Sequence, residues 1–594
     1  MELSWPDYLI IAVYLVFTLM IGFSLKKRAE GDISGFFLGN RSLPWWLVGT
    51  SMVATTFAAD TPLAVTELVA QAGISGNWLW WNMLAGGMLT TFFFARYWRR
   101  AEVLTDLEFI ELRYSGKGAS FLRGFRSLYF GVFMNALVIG WVNLALMSLL
   151  KVFFDIPDHL LIWVVSLCIL MVVLYASLSG LLGVVFTDFF QFIIAISGCI
   201  ILAVLVVNSE KIGGIDGLKS QLPAWSLTFF PTIGEASTSE TATALSLGLG
   251  SFLTFATMQW WASWYPGNEP GGGGYIAQRM MSAKNERHAL GATLYFQIAH
   301  YCIRPWPWIL VALAALVLYP QLPADDKKLG FVMAMRDYLP TGLKGLLLVA
   351  FFSAYMSTIS TQLNWGTSYL INDFYARFIV KDASQKQLVW ASRLGTLLLM
   401  IIGLLVTTQI QTISGVWQFL IKCGAGLGLV LILRWYWWRI NAWSEIAASI
   451  APFIAYLFTK FYLSQYVDPA WGKGITQDPR SFFFIVSFTT LAWIIVTYLT
   501  KPTEDLKLRE FYKRIKPLGI WLENKNTGRN TKLISLAICW LSAIVAAYSV
   551  LFASGYLIFK EWSDFGIWLL VFLASLSLML WLSNRVEIFK EAQE

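Results

Sequence analysis

Ala350-Phe351-Phe352-Ser353-Ala354-Tyr355-Met356-Ser357-Thr358-Ile359-Ser360-Thr361-Gln362 lies inside a long apolar run, yet it gathers hydroxyls at helical spacing. Ser357, Thr358, Ser360 and Thr361 are oxygen ligands without charge. Ala354, one turn before Thr358, adds a backbone carbonyl if its helical hydrogen bond is bent or shared. Oxygen-only ligands of low charge suit a hard monovalent cation such as Na⁺. Helix packing is the competing account. In a bilayer every polar group needs a partner, and membrane Ser and Thr bond back to the preceding turn or bridge helices. The rest of the chain has to decide between the two.

The 594 residues are 57% hydrophobic and 13% charged, against roughly 25% charged in a soluble domain. This is the composition of an all-α polytopic membrane protein. Apolar runs long enough to span a bilayer number about fifteen. They cover 7–25, 45–70, 77–95, 121–152, 159–178, 181–207, 245–265, 289–319, 341–371, 388–409, 412–439, 443–465, 480–499, 531–557 and 565–583.

The net charge of +8 does not signal nucleic acid, because of where it falls. Lys26, Lys27 and Arg28 follow the first span, Arg96, Arg99 and Arg100 the third, and Arg377, Lys381 and Lys386 the ninth. A further basic group, from Lys501 to Lys516, follows the thirteenth. These loops alternate with basic-poor ones, so the positive-inside rule puts the N-terminus outside and the C-terminus in the cytoplasm. A multi-pass protein of the plasma membrane is expected, with its first span kept as an anchor. The five cysteines all fall in apolar spans and form no CxxC pair, so neither a disulfide frame nor a zinc site is indicated. Three scattered histidines make no metal centre, and no Walker loop marks an ATP motor.

Two spans are interrupted. The second carries Thr55-Thr56-Phe57-Ala58-Ala59-Asp60-Thr61-Pro62, where a proline frees a carbonyl near position 58. The seventh ends in Trp264-Tyr265-Pro266-Gly267-Asn268-Glu269-Pro270 and four glycines. Broken helices at corresponding places in two halves point to a transporter binding site. Here they open two blocks of five spans, and an odd-numbered repeat inverts in the membrane. An ordinary kink at Pro62 and a flexible cytoplasmic glycine loop are the plainer alternatives. Asp60, Glu67, Asp188, Arg304 and Lys422 are charges at depth, where charge is costly and functional or paired. The stretches 101–120 and 501–530 have the amphipathic pattern of helices lying along the membrane surface.

Together these residues resemble the sodium:solute symporters, the group that includes sodium/glucose, sodium/proline and sodium/sialic acid cotransporters. The likeness is carried by Asp32 to Trp46, by Trp46-Leu47-Val48-Gly49-Thr50-Ser51-Met52-Val53-Ala54-Thr55, and by Leu182-Gly183-Val184-Val185-Phe186-Thr187-Asp188. It continues in Tyr275-Ile276-Ala277-Gln278-Arg279 with Ser282-Ala283-Lys284-Asn285, and is most specific in Ala354 to Leu363. It implies a five-plus-five inverted-repeat core with broken first and sixth core helices. The chain then divides into an N-terminal extra helix and loop (1–44), a first repeat (45–207), an extracellular loop (208–244), a second repeat (245–439) and C-terminal extra helices (440–594).

The resemblance also implies sites. A first Na⁺ site falls on Ala54, Phe57, Ala354, Ser357 and Thr358. A second, present in some members, falls on Asp188, Ser357, Ser360 and Thr361. For the solute it implies Thr56 and Thr61, His300 and Gln418, beside Asp60, Trp264 and Tyr265 at the two breaks. The sugar pattern is not intact. Trp80 stands where the galactose relatives have a glutamate, and Gly273-Gly274 replace an Asn-Gln pair. The span count is one more than is common in the family.

The function expected is Na⁺-coupled import of a small organic solute, most simply a sugar or sugar derivative, by alternating access. Its partners are Na⁺, the solute and the bilayer, with no cofactor, no enzymatic step and no nucleic acid. An amino acid or carboxylate as solute, and H⁺ in place of Na⁺ at Asp60 or Asp188, are the alternatives. A transporter-like sensor lacks a soluble module after residue 583. An enzyme needs a nucleophile–base pair or metal cluster, which the sequence does not offer.

Overall fold

The computed structural model describes residues 3–14, 16, 20, 41–103, 105–176, 181–231, 247–380, 382–521 and 528–585. Side chains of 173–188, 385, 389, 528–531 and 585 fall outside that description. The expected first span is helical over 5–14 and otherwise lies largely outside the described residues, as do the motif segment 32–40 and the loop segment 232–244.

The described chain is helical, with no strand and three isolated bridges. The first half holds α1 (Trp45–Thr55), α2 (Asp60–Ala72), α3 (83–101), α4 (Gly116–Phe154), α5 (Asp158–Ala176) and α6 (Leu181–Val207). The second holds α7 (249–262), α8 (Gly274–Ser282), α9 (Glu286–Leu318), α10 (Leu343–Ile379), α11 (Gln385–Thr407), α12 (Ile413–Cys423) and α13 (Leu427–Leu433). There follow α14 (Ala442–Tyr466), α15 (Arg480–Leu499), α16 (Asp505–Ile515), α17 (Gly528–Ile558) and α18 (Trp562–Arg585). Nine helices among the described residues are long and apolar enough to cross a membrane.

Both expected interruptions are real, and each has a local cause. α1 stops at Thr55, and Thr56 turns its hydroxyl back onto the Met52 and Val53 carbonyls at 3.1 and 2.8 Å. Pro62 starts α2 rather than kinking a continuous helix. It lies in the first turn, where no intrahelical N–H is needed. The second break runs from Ser263 to Gly273, with Gly267, Gly271 and Gly272 at positive φ.

A third break was not expected. The run 412–439 divides at Gly424–Gly426 into α12 and α13. Its backbone pairs with the second break: Trp264 N–H donates to Gly424 O at 3.2 Å, and Gly426 N–H to Ala262 O at 2.8 Å. The two gaps thus satisfy each other's orphaned backbone groups. A Cβ on Gly424 would sit 2.6 Å from the Trp264 carbonyl, so only glycine permits the approach.

α1 packs against α6, α9 and α10, and α2 against α9 and α12. The C-terminal pair α17–α18 is joined to the core through α17: the Tyr548 hydroxyl donates to Trp81 O at 2.9 Å and the Trp540 indole to Ala85 O at 3.0 Å. The two expected surface helices pack apolar residues on the rest of the protein. In α16, Leu508, Phe511 and Ile515 are buried, with Phe511 against Phe109 and Trp521. The stretch 101–120 splits into a short helix, Glu108–Arg113, and the first turns of α4. Arg113 is fully buried, and its guanidinium donates to the carbonyls of Arg434, Trp437, Trp438 and Ile440. A cation at the end of α13 neutralises carbonyls that the helix cannot satisfy itself.

Candidate solute and ion site

The breaks enclose a cavity. Its walls are aromatic: Trp80, Trp141, Tyr265, Tyr275, Tyr301 and Trp417. Its polar groups include Thr56, Asp60, Thr61, His300, Thr358 and Gln362. A water-sized sphere can be centred anywhere within about 90 Å³ of it, several times the roughly 10–15 Å³ that one water needs. Thr358 therefore brings the hydroxyl-rich turn of α10 to the same space as the α1–α2 break.

Around the break the backbone is tightly held. Phe57 N–H donates to Ala54 O at 2.9 Å. The Phe57 ring is buried between Trp308 and Phe351, with centroids 5.6 and 6.0 Å away. Arg304, fully buried in α9, donates to Val53 O at 3.0 Å and Thr56 O at 3.2 Å. The same guanidinium meets His300 Nδ1, which also contacts the Thr56 hydroxyl at 3.0 Å. In α10, Ala354 and Thr358 are buried. The Ser360 hydroxyl donates back to the Ser357 carbonyl at 3.0 Å, as helix packing predicts, and its lone pairs remain available.

The comparisons with known proteins bear on this arrangement. The model of the sodium:solute symporter family matches residues 36–451. The chain belongs to that family. It is similar to the sodium/glucose cotransporter 1 of Mus musculus, at 24% identity over 84% of this chain and 80% of that protein. It is likewise similar to the sodium/glucose cotransporter of Vibrio parahaemolyticus, at 24% identity over 77% and 86%. Among solved structures it superposes on a substrate-bound, outward-open Na⁺-coupled sialic acid symporter with a TM-score of 0.62. That match is 21% identical and covers 84% of this chain and 99% of that one. The protein is thus a multi-pass secondary transporter with a five-plus-five core, and Na⁺ is its coupling ion.

Within the symporter, the expected solute residues do not all meet. Thr56, Asp60, Thr61, Tyr265 and His300 line the cavity. Trp264 does not: it is buried with its ring stacked on Phe130 at 4.5 Å. Gln418 also turns away, its Oε1 accepting from the Thr476 hydroxyl at 3.4 Å. Its neighbour Trp417 takes the wall, because successive side chains of a helix point about 100° apart. The Asp188 side chain lies outside the described residues, and Thr361 is half-buried without lining the cavity.

Sequence reasoning missed Trp141, Tyr301, Gln362 and Trp417. Each is an ordinary core residue by pattern. The available hints were that Tyr301 adjoins His300 and that Gln362 closes the hydroxyl run. Two deep charges prove to be braces. Glu67 accepts the Ile413 and Ser414 N–H groups at the start of α12, at 3.2 and 2.7 Å. Lys422 donates to Lys473 O at 2.8 Å.

Proposed function

We propose that the symporter imports a sugar or sugar derivative together with Na⁺ across the plasma membrane, with its N-terminus outside and its C-terminus in the cytoplasm. The observation that carries this reading is the cavity itself, aromatic on its walls and hydrogen-bonding at its rim. Such a site suits a polyhydroxylated ring, which stacks an apolar face and bonds at its edge. The sodium/glucose relatives support the same solute class.

Na⁺ is held by the carbonyls of Ala54, Phe57 and Ala354 and the hydroxyls of Ser357 and Thr358. Supporting this are the contact of α1 with α10 and the place of Thr358 at the cavity edge. The ion ties the broken helix to α10 and so favours the state that binds solute. Coupling requires only that differential stabilisation. Asp188, with Ser357, Ser360 and Thr361, forms a second Na⁺ site. The membrane potential contributes about 2.3 kcal/mol per charge per 100 mV.

Uptake of labelled glucose, galactose and myo-inositol into proteoliposomes tests the reading, with an inward Na⁺ gradient at fixed pH. Accumulation that requires Na⁺ and persists without a proton gradient supports it. Accumulation driven by a proton gradient alone overturns the Na⁺ part. Failure of every sugar, with accumulation of an amino acid, overturns the solute part.

A further inference from the structure

The charge chemistry of the cavity narrows the solute further, on the reading just given. Asp60 is the one charged side chain among the described residues that line it. It is 4% exposed, and its Oδ1 has no hydrogen-bond partner. Asp60 is the first residue of α2, so Oδ1 is an unpartnered acceptor at the N-terminal end of that helix.

The obvious counter-charge for an acidic solute is Arg304, and it does not face the cavity. It is fully buried and absent from the lining. Nη1 and Nη2 are taken by the Val53 and Thr56 carbonyls and by His300. Nε has no hydrogen-bond partner but lies buried with the rest of the group, whose guanidinium rests 5.0 Å from the Trp308 ring centroid. His300 turns its Nδ1 to the Arg304 guanidinium and to the Thr56 hydroxyl. Two further lining groups are buried without partners: Gln362 Oε1, an acceptor, and Trp417 Nε1, a donor.

The fully buried lining atoms without a partner are thus two acceptors, Asp60 Oδ1 and Gln362 Oε1, and one donor, Trp417 Nε1. A carboxylate brings acceptors only and places a second negative charge in a desolvated space beside Asp60. Such like-charge contact is strongly unfavourable. A neutral ring with hydroxyls supplies a donor to Asp60 and to Gln362 and an acceptor to Trp417. We infer that Asp60 is the specificity-determining acceptor of this symporter: it takes a hydrogen bond from a solute hydroxyl and excludes acids, so the solute is a neutral polyol.

The test uses purified symporter in lipid nanodiscs with Na⁺ present, and matched probes. D-Glucose is paired with D-glucuronate and D-galactose with D-galacturonate, and acetate and L-lactate serve as small acids. Binding is read by calorimetry. In at least one pair the neutral sugar binds, and its uronate binds at least about tenfold more weakly, a difference of about 1.4 kcal/mol. Asp60→Asn, which keeps the shape and removes the charge, closes most of that gap. A purely structural role for Asp60 would move both affinities together. Should Asp60→Asn fail to fold, the wild-type pairs still decide.

A uronate that binds as tightly as its neutral partner overturns the inference and leaves the sugar reading standing. Lactate or acetate binding, with no sugar bound, overturns both. If no probe binds, the sugar reading falls and this inference falls with it.

Discussion

Arg304 Nη2 donates to the Thr56 carbonyl at 3.2 Å, so a cation on α9 holds the last carbonyl before the α1–α2 gap. Its Nη1 holds the Val53 carbonyl three residues earlier. The C-terminal end of α1 carries a partial negative charge, and the guanidinium bonds it directly. The break is therefore a braced structure and not a flexible joint.

Arg304→Met removes the donor from two buried carbonyls, and each orphaned acceptor costs about 1–3 kcal/mol. Thermal unfolding in detergent should show a marked loss of stability. Arg304→Lys should be intermediate, since an ammonium keeps the charge but loses the fork geometry. An Arg304→Met protein that melts with the wild type would show that the brace is not needed.

For the ion site, Thr358→Ala should weaken the apparent Na⁺ affinity about tenfold, or about 1.4 kcal/mol, with normal folding. Ser357→Ala should be worse, because Ser357 is assigned to both sites. Asp188→Asn should lower the Hill coefficient for Na⁺ toward one. Sodium-dependence curves of uptake give all three readings. Unchanged curves in Thr358→Ala and Ser357→Ala would remove the α10 hydroxyls from the site.

Trp417 and Gln418 separate two placements of the solute. Trp417→Phe removes the buried, unpartnered indole N–H of a cavity-lining side chain and should raise the solute constant about fivefold, the effect of roughly 1 kcal/mol. Gln418→Ala should leave it nearly unchanged, because that side chain bonds Thr476 instead. The reverse order in a binding titration would place the cavity on the other face of α12.

Gly274→Ala tests the glycine run. Gly274 has φ +51°, and a Cβ there would lie 2.6 Å from Glu269 Oε1. Left-handed strain alone is worth about 1–3 kcal/mol, and the buried Glu269 has little room to move. Folded yield and melting temperature should both drop. Gly273→Ala, in extended backbone and 3.3 Å from the Glu269 Cβ, should be milder. Equal effects of the two would mean that the positive φ is not what demands glycine at 274.

The sequence by itself determined the membrane class, the helical architecture, the two paired breaks and the family. Each rests on signals carried by contiguous residues: apolar run length, a proline or glycine run in an apolar span, and hydroxyls at helical spacing in 350–362. Only the tertiary structure decided which side chains share the cavity. Trp417 rather than Gln418 reaches it because helix rotation is set by packing against α2 and α14, which no local pattern encodes. The pairing of the second break with an unforeseen third at Gly424–Gly426 is likewise long-range, since a backbone gap is stable only where another strand of chain arrives to bond it. Arg304 is the clearest case. In sequence it is a charge at depth, either functional or paired. In the fold it is consumed by two carbonyls more than two hundred residues away, because a buried cation settles where orphaned acceptors already wait.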